Sequence, residues 1–168
     1  MQVAFYLGTR PGLAGLFNRA VRLKEGGPAS HMEIVLESHN GIGWCGSASF
    51  EDGGVRCKEI RLAPARWQVI DIGSALAPPA AVRDWFARHA GAPYDVLGLG
   101  GHLLFNFDGH PRAWTCVEAC LAALGVADPW RFGVNAARAL MMTLASRAAG
   151  ASPLPAGTTY RSAAGGAR

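Results

Sequence analysis

The chain is short of charge. Only 17% of its 168 residues are Asp, Glu, Lys or Arg, against roughly 25% in ordinary globular domains. Half the residues are hydrophobic, which excludes a solvated, disordered chain and predicts a packed core. A marked excess of one sign is lacking too: sixteen Lys and Arg stand against twelve Asp and Glu, for a net charge of +4. The basic residues Arg10, Arg19, Arg22, Lys24, Arg56, Lys58, Arg61 and Arg66 are scattered along the chain. They make no run of the kind that tracks a nucleic-acid backbone, so no nucleic-acid partner is expected. Long apolar runs are also missing. The most apolar stretch, Val96 to Phe107, is interrupted by Gly98, Gly100, Gly101 and His102. It falls short of the roughly 20 residues that span a bilayer, so no stable membrane insertion is expected. The opening MQVAFYLGTR carries no basic stretch followed by an apolar segment, and it predicts a cytoplasmic protein without a signal peptide.

Cysteine is sparse, at four residues: Cys45, Cys57, Cys116 and Cys120. A chain without an export signal keeps its thiols reduced. The Cys116–Cys120 spacing is CxxxC, one helical turn, and not the CxxC of zinc ribbons or thioredoxins. The glycines at 98, 100 and 101 lack the Lys-Ser/Thr ending of a phosphate loop. No metal and no organic cofactor is expected. A redox or zinc protein built on Cys116 and Cys120 is the reading that metal analysis would favour or exclude.

What is present reads as an α+β domain over residues 1–149, followed by an Ala/Gly/Ser/Pro-rich tail from 150 to 168 that is expected to be flexible. Gln2 to Leu7 predicts a short strand. Gly12 to Lys24 predicts an amphipathic helix, with Leu13, Leu16, Phe17, Ala20 and Leu23 at helical spacing and Gly26-Gly27-Pro28 ending it. Met32 to Leu36 and Ile42 to Ser47 predict a hairpin across Asn40-Gly41. Strands over Val55 to Leu62 and Trp67 to Ile72 follow, and the short links predict a four-stranded antiparallel meander. Three helices are then expected, from Pro78 to His89, from Thr115 to Leu124 and from Asn135 to Ala148, with a loop and a glycine-loosened helix over Tyr94 to Leu104.

Two residues stand out chemically. Cys116 lies at the start of the Thr115 helix, where unpaired amides and the positive helix end stabilise a thiolate and an oxyanion beside it. The alternative for any free cysteine is an inert place in the core, which is the reading given to Cys120. His31 follows the Gly-Gly-Pro-Ala-Ser loop and enters a strand, where a neutral imidazole can take a thiol proton and return it to a leaving group. His102 is the rival base. Glu33 shares a strand face with His31 and can orient the ring, while Ser47 and Ser49 on the partner strand offer a second source of that contact. Glu118 reads as structural. Tyr94-Asp95 either lines a cleft or pins a turn.

The order of these motifs resembles the circularly permuted branch of the NlpC-type, papain-like cysteine hydrolases, relatives of the lecithin-retinol-acyltransferase-like enzymes. Ser30-His31-Met32-Glu33-Ile34-Val35 comes first, and Trp114-Thr115-Cys116-Val117-Glu118 opens a helix after it; the unpermuted enzymes have the cysteine first. Ser47-Ala48-Ser49 with Asp52-Gly53-Gly54 and Tyr94-Asp95 match intermediate segments. The resemblance implies a papain-like antiparallel sheet flanked by helices. It also implies a Cys116 nucleophile, a His31 base, and a thioester formed from an amide or ester such as a peptidoglycan peptide or a lipid acyl group. The family's third polar residue falls near Cys45 to Ser47, where its usual residue types are absent, so Glu33 and then Ser47 stand in for it. Tyr94, Asp95, Trp114 and Thr115 are the expected substrate contacts. A non-catalytic peptide- or lipid-binding module on the same fold is the alternative.

Overall fold

The computed structural model describes residues 1–96 and 112–150. Its elements run β1 (Gln2–Tyr6), α1 (Gly12–Glu25), β2 (Met32–His39), β3 (Ile42–Ser49), β4 (Gly54–Arg61), β5 (Trp67–Asp71), α2 (Pro79–His89), α3 (Cys116–Ala123), a 3-10 turn (Pro129–Arg131) and α4 (Val134–Ala148). The class is α+β, an open antiparallel sheet of five strands with four helices among the described residues. The expected helix over part of 94–104, His102 and the tail beyond 150 fall outside the described residues.

The hairpin between β2 and β3 forms where Asn40-Gly41 predicts it. Both residues take left-handed backbone angles, φ 51° and 75°, which lets a two-residue turn match the strands' own twist. From β2 through β3 to β4 the strands follow one another as a meander, but the four-stranded meander predicted from short links does not form. The sheet order is β4-β3-β2-β1-β5, with β5 pairing β1 at the far side. The cause is β1: Val3, Ala4 and Phe5 are fully buried, so this strand lies inside the sheet and needs a partner on each side for its amides and carbonyls. β5 supplies the second, matching Val3 to Ile70 and Tyr6 to Trp67. Leu62 and Trp67, on either side of the β4–β5 link, pack on Ala4, Tyr6, Val35 and Cys45 and form a small apolar cluster on that face of the sheet.

On the opposite face Val3, Phe5, Met32, Ile34, Ala48 and Ile70 meet α2, α3 and α4 through Val82, Phe86, Leu121 and Met141. Each of the larger of these side chains, fully buried, contributes about 1.5–3 kcal/mol. Gly46 lets α2 settle here, because a Cβ at this position would stand 2.8 Å from the Phe86 ring. The apolar face predicted for α1 is reversed. Leu16 is 65% exposed and Leu23 87%, whereas Asn18 and Val21 face the body of the protein. Polar anchoring overrides the periodicity: Arg22 donates to the Gly8 carbonyl and to Thr9, and the Asn18 side chain accepts from the Arg10 amide at 3.3 Å.

Candidate active site

β2 and β3 carry the site, and α3 lies across them. Thr115 caps α3 through a capping box in which its hydroxyl accepts from the Glu118 amide at 3.3 Å while Glu118 accepts from the Thr115 amide at 2.7 Å. This reciprocal cap sets where the helix begins, and the first residue after it is Cys116. Glu118 thus has the structural role expected of it. One turn on, the Cys120 thiol lies 3.6 Å from the Met32 carbonyl and 3.7 Å from that of Gly46, so it ties α3 to the sheet from a fully buried position. Asn135 at the start of α4 accepts from the Ala29 amide at 2.9 Å and donates to its carbonyl at 3.0 Å. These paired bonds hold the chain two residues before His31.

His31 sits just ahead of β2, and its ring joins two groups. Nε2 donates to Glu33 Oε1 at 2.7 Å, and Cys116 lies near enough to favour the protonated ring. Burial by itself would lower the ring's proton affinity. Cys116 and then Glu33 outweigh it and raise the value from the ordinary 6.5 to about 9. Trp67 packs edge-on to the ring, with centroids 6.4 Å apart.

The Glu33 side chain is 1% exposed, and burial works to keep its carboxyl protonated. Hydrogen bonds from Arg56 and His31 win, and they hold the carboxyl below its ordinary 4.5. Arg56 donates to both Glu33 oxygens, Nη1 to Oε2 at 2.7 Å and Nη2 to Oε1 at 2.6 Å, a two-point fork of the strong, orienting kind. Its Nε donates to Asp52 at 2.8 Å, and Asp52 also accepts from Lys58. The other thiols are unsuited to nucleophilic work. Burial pushes Cys45 up to about 12, and Cys57 and Cys120 rise for the same reason.

Cys116 and His31 open onto a cavity of about 460 Å³. Its wall is mainly apolar, with Tyr6, Phe17, Val21, Tyr94, Phe132 and Val134, and charge enters with Arg10, Glu25 and Glu51. Burial, followed by the charges of Cys116, Glu118 and Asp95, holds the Tyr94 hydroxyl well above its ordinary value, so it stays a donor.

Of the residues singled out in the sequence, Cys116, His31 and Glu33 come together, and Tyr94 and Thr115 join them on the cavity wall. Ser47 does not reach the ring: its hydroxyl donates to the Met32 carbonyl at 2.7 Å. Trp114 turns away to an aromatic cluster, 5.0 Å from Trp85 and 5.5 Å from His89. Asp95 is buried, at 2% exposure, and is no part of the wall. Arg56 was not foreseen. Its signal was the register, since the Asp52-Gly53-Gly54 turn sets it opposite Ser47, one strand from Glu33. Among the described residues no group of His, Cys, Asp and Glu could hold a metal ion, and no helix is long and apolar enough to cross a membrane. No protein-family model, curated protein or solved structure matches the chain.

Proposed function

We propose that the protein is a thiol hydrolase or acyltransferase of the papain-like kind. In this reading it acts on an ester or amide whose acyl part is apolar. The observation that carries the reading is the His31 ring, held between the Glu33 carboxylate and the Cys116 sulfur at the mouth of α3. In this reading the His31 ring, favoured in its protonated form, takes the proton of Cys116. The Cys116 thiolate attacks the acyl carbonyl, and the first amides of α3 with the Tyr94 hydroxyl stabilise the oxyanion. As the tetrahedral adduct collapses, the C–O or C–N bond breaks and imidazolium gives its proton to the departing alcohol or amine. Water or another acceptor then attacks the thioester, His31 takes its proton, and the thiolate is restored. The apolar wall of the cavity favours an acyl chain over a highly charged peptide.

Limiting iodoacetamide near pH 6, read by peptide mass spectrometry, tests the nucleophile. We expect Cys116 to label at least about tenfold faster than Cys57, the partly exposed competitor. With p-nitrophenyl octanoate, intact mass should rise by one acyl group on Cys116, and Cys116→Ala should abolish the gain. Labelling no faster at Cys116 than at Cys57, with no acyl adduct, would leave a binding module instead.

A further inference from the structure

The sheet places a guanidinium behind the candidate catalytic carboxylate, and nothing in the proposed chemistry requires it to touch substrate. Arg56 belongs to β4 and Glu33 to β2, so β3 lies between them. The residue of β3 that pairs with Arg56 is Ser47. Its small side chain, turned to the Met32 carbonyl, leaves room for the arginine to pass. Both partners are removed from water, with the Arg56 side chain 15% exposed and that of Glu33 1%. Glu33 Oε1 accepts from His31 and from Arg56 together, and Oε2 accepts from Arg56 alone. With both oxygens engaged, the carboxylate cannot rotate without breaking a charged hydrogen bond. Asp52 holds the guanidinium in turn through Nε.

We infer that Arg56 is the positioning residue of this site, fixing the Glu33 carboxylate so that it aims His31 at Cys116. The inference rests on the function proposed above.

Charge balance makes the arginine necessary. The groups near Glu33 are His31 just ahead of its strand, Arg56 and Cys57 from β4, Cys45 from β3 and Cys120 from α3. The three thiols are protonated at neutral pH, so among these groups only His31 and Arg56 bring positive charge to the carboxylate. The ring must give its proton away during turnover. At that moment Arg56 alone keeps a buried carboxylate neutralised. Lysine would supply the charge but not the two-point fork.

The test measures the iodoacetamide rate at Cys116 from pH 4 to 9, alongside the His31 ring signals by NMR, for the wild type, R56Q and R56K. In the wild type the rate should fall toward the acid end of that range. R56Q should move that fall upward by at least about one pH unit, a tenfold loss at a fixed acid pH, and broaden or shift the ring signals. R56K should restore the position of the fall while its neutral-pH rate stays below wild type. If wild-type Cys116 reacts fast and both variants match it in pH dependence and ring signals, Arg56 is not a positioning residue and the thiol reading survives. If wild-type Cys116 reacts no faster than Cys57, both ideas fall together. Should R56Q not fold, R56K alone decides: a neutral-pH rate and ring spectrum equal to wild type would overturn the inference.

Discussion

Replacing Cys116 with alanine should strip His31 of much of its extra proton affinity. The ring is held at about 9 against an ordinary 6.5, which corresponds to about 3 kcal/mol in favour of imidazolium. The side chain is only 14% exposed, so solvent screens little of this. Burial pulls the other way, and Cys116 contributes ahead of Glu33 to the opposing rise. Cys116→Ala removes the sulfur's charge and hydrogen bond yet leaves burial and the Glu33 contact in place. The ring should then bind its proton at least about tenfold less tightly, so that half or more of it is neutral at pH 8 where the wild type is charged. Titrating the ring carbon and nitrogen resonances from pH 5 to 10, with His31→Gln for assignment, measures both values. A ring that still titrates at about 9 without the sulfur would show that Glu33 alone holds the charge. A wild-type ring titrating near 6.5 would refute the ion pair itself.

Two further outcomes follow from the same packing. Glu33→Gln leaves Arg56 facing a neutral amide in a buried site and should cost about 3–5 kcal/mol at pH 7, read by urea denaturation. The wild-type carboxyl titrates below its ordinary 4.5, so its stabilisation is present above that pH and is lost as pH falls through the lowered value; the gap between the two proteins should narrow as the pH is taken down through that lowered value. Gly46→Ala places a methyl 2.8 Å from the Phe86 ring, and because Phe86 is buried at 2% exposure it has little room to yield. A loss of about 1–3 kcal/mol is expected, and an unchanged thermal midpoint would mean that α2 shifts outward freely.

Local chemistry made the hairpin at Asn40-Gly41 and the ends of α2 and α3 readable from the chain alone. Each depends on residues within a few positions: a pair tolerating positive φ, prolines at a first turn, a helix-forming run that opens at Thr115 and stops at Gly125. The same locality allowed Glu33 to be set on the His31 face, two residues on and just inside β2. α1 shows where this stops working. Its leucines keep helical spacing, yet the face turned inward was chosen by the polar contacts of Asn18 and Arg22, which lie outside any hydrophobic pattern.

By itself, then, the sequence determined the α+β class, the turn positions and the presence of a cysteine at a helix start, because these follow from neighbours along the chain. Tertiary structure decided that β5 joins β1, that Ser47 spends its hydroxyl on a backbone carbonyl, and that Arg56 passes across β3 to clamp Glu33. Those outcomes depend on strand order and register, which bring distant residues side by side and leave no periodic trace in either segment.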